Sequence, residues 1–166
     1  SMINLALPIG YMLGAPFFGR LGDRVFGDRV HLLIFLLALL TSSWFVLTFL
    51  PRQVGIGGVM VLYAAVGGLS GGLGSTLWAT AQAKTPSAIM GLMSGLMNPF
   101  PLLGMAVMQG VTGAIVDQAG KVGDVYAPEG YGNAFFVLFL IAAACFVLCV
   151  VFRKRLSTKK QGAIES

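Results

Sequence analysis

Ionisable side chains are scarce in this sequence: Asp, Glu, Lys and Arg make up 10% of 166 residues, and His31 is the single histidine. That scarcity removes several classes of chemistry at once. No catalytic Ser/His pair, paired carboxylates or metal-ligand cluster lies within an apolar stretch, which disfavours an intramembrane enzyme. The two cysteines, Cys145 and Cys149, stand one helical turn apart in the last apolar stretch and read as small apolar side chains. His31 lies in a basic loop without a ligand partner at useful spacing, so no metal and no other cofactor is expected. Nothing resembles a nucleotide-binding loop, and the turn around Lys84 looks too short to dock an ATPase. No basic stretch precedes the first apolar run, so no secretory signal peptide is expected. Ser1 ahead of Met2 reads as a cloning scar or as the continuation of a longer chain whose upstream spans are missing, and we favour the second.

Apolar surface, by contrast, is abundant. Hydrophobic residues make up 57% of the chain and the mean hydropathy is +0.86, more than a soluble domain of this size can bury. Lipid must cover the surplus. The net charge of +5 does not indicate nucleic acid, because the basic residues flank apolar runs instead of forming a stripe. A crossing takes about 20 apolar residues for roughly 30 Å of hydrocarbon. Five stretches qualify: 3–19, 32–50, 54–83, 86–116 and 133–152. The expected fold is all-α, a polytopic membrane helix bundle spanning 1–153, followed by a basic tail, 154–166, expected to be disordered.

Five crossings place the termini on opposite sides. Nine basic residues (Arg20, Arg24, Arg29, Lys84, Arg153, Lys154, Arg155, Lys159 and Lys160) fall on one side and two, Arg52 and Lys121, on the other. The positive-inside bias makes the first side, with the C-terminus, cytoplasmic. The other side carries a Gly-rich connection from 117 to 132 that reads as turn-rich, with Tyr126 and Tyr131 at headgroup level.

The spans differ in character. Residues 32–40 and 135–152 are bulky on every face, as suits lipid-facing walls. The 54–83 span holds Gly67, Gly68, Gly71 and Gly72, whose small-xxx-small spacing permits close backbone approach and predicts an interior helix. The 86–116 span is about 31 residues, or roughly 46 Å, and needs tilt or a break; Asn98, Pro99, Phe100 and Pro101 supply one. Freed carbonyls there line a cavity or mark a filled kink. Polar residues near mid-membrane are Asn4, Ser70, Ser75, Thr76, Trp78, Ser94, Asn98 and Gln109. Asn98 and Gln109 are the leading candidates to hydrogen-bond a solute, with Asn4, Ser75 and Trp78 as further cavity candidates; bonds between helices, or back to the same helix, compete with each. None is ionisable, so proton coupling would use residues outside this chain.

The charged run from Gly19 to Arg29 holds five ionisable residues: Arg20, Asp23, Arg24, Asp28 and Arg29. Gly19, Leu21, Gly22, Asp23 and Arg24, followed by Gly27 and Arg29, resemble the signature loop of the major facilitator superfamily. Four helices and a basic tail follow, which matches the loop's second copy, so the chain resembles helices eight to twelve of a twelve-helix transporter. The run Pro86, Gly91, Gly95, Asn98, Gly104, Gln109, Gly113 and Asp117 is similar to the eleventh helix of many bacterial members. One extra residue separates Arg24 from Gly27, and Asp28 stands where the family usually has a base.

The resemblance implies a conformational latch at Gly19, Gly22, Asp23, Arg24, Gly27 and Arg29, in which Asp23 meets a neighbouring helix N-terminus and Gly19 permits tight packing. It further implies a secondary-active carrier of a small solute in a bacterial inner membrane, with a missing N-terminal half as partner, lipid around it and a coupling ion. A stand-alone five-helix protein acting as an oligomeric structural or regulatory subunit is the alternative.

Overall fold

The computed structural model describes residues 2–24, 28–49, 51–122 and 125–156. Helix α1 (Met2–Arg24) runs five residues past its expected end, so Gly19 to Arg24, expected in a loop, form its last turns. Helix α2 (Arg29–Phe49) begins at Asp28, whose carboxylate accepts from the Val30 backbone N–H at 3.1 Å. Helix α3 (Pro51–Lys84) contains one irregular residue, Gly55, at φ 66°, a left-handed conformation that suits glycine. The expected 86–116 span becomes a 3₁₀ turn, Ser87–Ile89, then α4 (Met90–Met97) and α5 (Pro99–Gln118). Asn98 between them keeps helical angles (φ −63°, ψ −43°), and Pro99 and Pro101 occupy the first turn of α5, where a missing N–H matters least. The break is thus an interruption of hydrogen bonding, not a loop.

Gly120, at φ 76°, ends α5. The connection that follows, expected to be turn-rich, contains an antiparallel pair of two-residue strands, β1 (Lys121–Val122) and β2 (Val125–Tyr126), with Lys121 opposite Tyr126. Helix α6 (Pro128–Val151) starts five residues earlier than 133, with Pro128 at its first position. Arg153–Leu156 add a helical turn, α7, at the head of the expected tail; Gly27 and residues 157–166 lie outside the described residues, and only the backbone is described for Asn4, Asp23 and Arg24. Among the described residues, four helical stretches are long and apolar enough to cross a membrane: Arg29–Phe49, Gly57–Lys84, Ser87–Gln118 and Pro128–Val151. Helix α1, the fifth expected crossing, carries Arg20, Asp23 and Arg24 in its last turns and is not among the four.

Helix neighbours follow the order α1, α3, α2, α6, α5. Helix α1 lies along α3 in a seam made of glycine. A Cβ placed on Gly67 would collide with the Leu7 carbonyl, one on Gly14 with the Gly68 backbone, and one on Gly10 with the Ala64 carbonyl. At Gly71 it would stand 2.5 Å from the Tyr11 carbonyl oxygen, and at Gly72 2.7 Å from the Phe18 side chain. Of the four glycines singled out on α3, Gly67, Gly68 and Gly71 are therefore backbone-contact positions and Gly72 seats the Phe18 side chain, while Gly10 and Gly14 of α1, at the same four-residue spacing, meet the α3 backbone at Ala64 and Gly68.

The core sits on the other face of α3, where Leu69 and Leu73 pack with Leu32, Leu33 and Leu36 of α2. The two expected walls, α2 and α6, adhere through aromatic rings: Trp44 to Phe135 and Phe45 to Phe139, each at 5.8 Å between centroids. Helix α2 is thus a wall with one buried face. In the 86–116 region, by contrast, none of the apolar window is buried within the chain.

Gly14→Ala or Gly67→Ala should lower unfolding stability in detergent by about 1–3 kcal/mol, because the colliding atoms are backbone and cannot rotate away. Gly104→Ala, with nothing within 4 Å of the new methyl, should leave it unchanged or slightly raised. Thermal unfolding followed by circular dichroism separates the two outcomes.

Candidate functional site

The charged run folds into a junction of three helices. Gly22 and Gly19 of α1, Arg29 and Leu32 of α2, and Ser75 and Ala79 of α3 surround a cavity of about 80 Å³. Arg29 donates through Nη1 to the Ala79 carbonyl at 3.1 Å, fastening the start of α2 to α3. Asp28 is 7% exposed; its carboxylate caps α2 and lies 4.0 Å from Nδ1 of His31. The residue that departs from the family's usual base therefore has a clear local role, since an acceptor at the N-cap satisfies an orphan N–H and meets the positive end of the helix. The close approach here belongs to Gly22, where a Cβ would stand 2.7 Å from Leu32, whereas Gly19, expected to permit tight packing, has open space.

At the same end Lys84 donates to the Arg155 carbonyl at 3.3 Å, joining α3 to α7. Arg153 and Lys154 share a small cavity with Asp28 and His31. Five of the basic positions assigned to one side by charge counting, Arg29, Lys84, Arg153, Lys154 and Arg155, thus lie at one end. Above them lies an apolar cavity of about 660 Å³ between α2, α3, α4 and α6, bordered by Leu37, Leu77, Met97, Cys145, Cys149 and Lys84.

A cavity of about 590 Å³ occupies the opposite end, inside the curve of the helix row. Its wall is aromatic: Trp44 of α2, Tyr63 of α3, Tyr126 of β2, and Tyr131 and Phe135 of α6. Gln109, Thr112 and Asp117 of α5 add the polar groups. The Thr112 hydroxyl is spent on the Met108 carbonyl at 2.7 Å, which leaves Gln109 and Asp117 as side chains of α5 turned to the space. The Asp117 carboxylate, by accepting from the Tyr126 phenol and by its negative charge, holds that phenol above its ordinary value of 10.0.

Of the expected solute-binding residues whose side chains are described, the structure brings Gln109 alone to this cavity. Ser75 belongs to the α1–α3 seam, where its hydroxyl bonds the Gly72 carbonyl at 3.0 Å and the Ala15 carbonyl at 3.4 Å. Asn98 is exposed and Trp78 half-buried, and neither borders the large cavities. The Asp117–Tyr126 contact was missed because its partners belong to different elements; an acidic residue closing α5 beside two loop tyrosines was the available signal.

The helical architecture and its four crossing-competent stretches make this a multi-pass integral membrane protein. A family model described as Major Facilitator Superfamily matches residues 1–166, and the chain belongs to that superfamily of membrane transporters. No curated protein and no solved structure matches it.

Two outcomes follow. Asp28→Ala should cost about 1 kcal/mol of stability through loss of the cap, with Asp28→Asn retaining most of it, as read by chemical unfolding. Because Tyr126 is raised in the folded state, its bond to Asp117 contributes fully below pH 10.0 and fades as pH climbs through the folded value. Asp117→Asn should bring the Tyr126 titration back toward 10.0, seen as tyrosinate absorbance that the additional change Tyr126→Phe abolishes.

Proposed function

We propose that the chain is the C-terminal part of a secondary-active carrier that moves a small solute by alternating access, its helices corresponding to helices eight to twelve. The observation that carries this reading is the junction at Gly22, Arg29 and Ala79, where signature residue Gly22 packs α1 against Leu32 of α2 and signature residue Arg29 ties α2 to α3. A polar tie of that kind is breakable, as a gate on one side of a rocking bundle must be. The latch comprises Gly19, Gly22, Asp23, Arg24, Gly27 and Arg29, with Asp28 added as the cap of α2. The solute enters the aromatic cavity, where Gln109 and Asp117 meet it. Pro99 and Pro101 serve as a hinge below that cavity.

The N-terminal half is the obligatory partner, lipid surrounds the outer helices, and any coupling ion is handled outside this chain's mid-membrane spans. The membrane is the bacterial inner membrane, with the basic end and C-terminus cytoplasmic. The chain acts as a transporter and not as an enzyme.

A tag after Ser166 should be reached by a membrane-impermeant reagent from the cytoplasm, and a tag inserted near Gly123 from outside; the reverse pattern overturns the orientation. In the carrier assembled with its N-terminal half, a cysteine at Ala79 reports the latch. Asp23→Asn should raise its cytoplasmic labelling about two- to fivefold, the range of a carboxylate at a helix terminus. Unchanged labelling removes Asp23 from the latch.

A further inference from the structure

We propose that the aromatic cavity binds an alkylated organic ammonium ion, held by the Asp117 carboxylate and the faces of Trp44, Tyr63, Tyr126 and Tyr131. The inference deepens the carrier reading and rests on it for the meaning of the site. Three observations carry it.

The first is the electrostatics of the α5 terminus. Asp117 is the penultimate residue of α5, where the partial negative charge of the helix end adds to the carboxylate instead of opposing it. A negative group in that position gains no support from its own helix and is satisfied by a nearby cation. The second is the wall. Trp44 and Tyr63 both pack on Phe135, at 5.8 and 6.2 Å between centroids, so the rings are fixed against one another around the space. Aromatic faces attract a cation that has shed its water, and one bearing methyl groups loses little hydration on entry.

The third is that one ring of this wall already carries a cation. The Lys121 ammonium stands 4.9 Å from the centre of the Tyr126 ring, on the neighbouring strand, while the same tyrosine's hydroxyl bonds Asp117. Lys121 is exposed and its tether is a two-residue strand. Lys121 does not itself border the cavity, so its contact shows that the Tyr126 ring, one of the cavity's walls, accepts an ammonium group from its cross-strand neighbour. Glu129, in the first turn of α6, adds negative charge at this end. An anionic solute meets the opposite situation, because Asp117 repels it and one lysine does not outweigh the two carboxylates. The cavity's volume, about 590 Å³, lies within the range of small-molecule sites.

The test is calorimetric titration of the purified chain in neutral detergent, with choline as probe and its uncharged isostere, in which carbon replaces the ammonium nitrogen, as comparison. Choline should bind roughly tenfold or more tightly than the isostere, within the twofold to thirtyfold range that cation–ring attraction spans. Asp117→Asn should weaken choline about tenfold or more while leaving the isostere unchanged. Lys121→Gln should tighten choline about two- to fivefold by removing a like charge beside Tyr126. A role confined to closing the hairpin predicts the opposite for that variant, namely no change in ligand binding.

Equal binding of choline and isostere, or no binding of choline, overturns the inference, and that comparison on the unaltered chain stands even where Asp117→Asn fails to fold. Transport of another solute by the assembled carrier, with no choline binding, removes this inference and leaves the carrier. Choline binding by a chain that transports nothing with its N-terminal half removes the carrier and leaves the site.

Discussion

Where Gly14 of α1 meets Gly68 of α3, two helix backbones touch with no side chain between them, and the arrangement of the remaining helices follows from that contact. Inside a bilayer there is little hydrophobic force between helices, because lipid tails are as apolar as leucine; association depends on dispersion and on how closely surfaces approach. Gly14 against Gly68, Gly10 against Ala64, and Gly67 and Gly71 against the Leu7 and Tyr11 carbonyls bring the two helices into backbone contact. They also fix the rotation of α3. With one face spent on α1, the opposite face carries Leu69 and Leu73 toward α2, and α2 must then turn Leu32, Leu33 and Leu36 inward. The far edge of α2 presents Trp44, Phe45 and Phe49 to α6, whose Phe135, Phe136 and Phe139 answer them.

The succession of backbone seam, leucine core and aromatic contact makes the helix row curl, and its concave side holds the two large cavities. They differ because the two ends of the bundle have different chemistry. At one end Asp28 caps α2, Arg29 ties α2 to α3 and Lys84 ties α3 to α7, each through a backbone group. Such ties are local and individually modest, so they can be exchanged during a conformational change without unfolding the helices. At the other end the α5–α6 connection folds back as a short hairpin, and Gly120 is the pivot: its left-handed angle ends α5 and its carbonyl accepts from Ala127 at 3.0 Å. That reversal brings Tyr126 onto Asp117. A rigid seam thus runs between a polar junction and an aromatic cavity.

Much of this was legible in the sequence. Hydropathy located the spans because a helix in lipid must be apolar along its whole length, and the small-residue spacing at 67, 68, 71 and 72 marked the seam because at 67, 71 and 72 even a methyl group would collide with α1. The boundaries failed where polarity was taken for loop. Arg20, Leu21 and Arg24 are good helix formers, and α1 continues through them to Arg24. Asp28 read as a departure from a family pattern, yet its position ahead of Arg29 and Val30 is that of an N-cap, a signal that depends on knowing where α2 starts. The solute candidates fared worst for a geometric reason. A polar residue in an apolar span announces that it needs a partner without saying on which face, and facing is decided by packing. Ser75 turned out to serve the seam, while Gln109 reached the cavity.

Helices α4 and α5 carry the last step. None of their apolar window is buried within the chain, and Phe100, Leu102 and Val107 are 69%, 64% and 62% exposed. Lipid alone accounts for exposed leucine and phenylalanine at no cost. It does not account for glycine: Gly91, Gly95, Gly104, Gly110 and Gly113 each have nothing within 4 Å of where a Cβ would stand. A glycine in mid-helix costs about 1 kcal/mol relative to alanine and makes no compensating contact with a lipid tail. On α3 that cost is offset by the backbone of α1 lying against it. The same composition on a helix without such a neighbour accords with a backbone-close partner beyond these residues, which is the place the proposed N-terminal half would take.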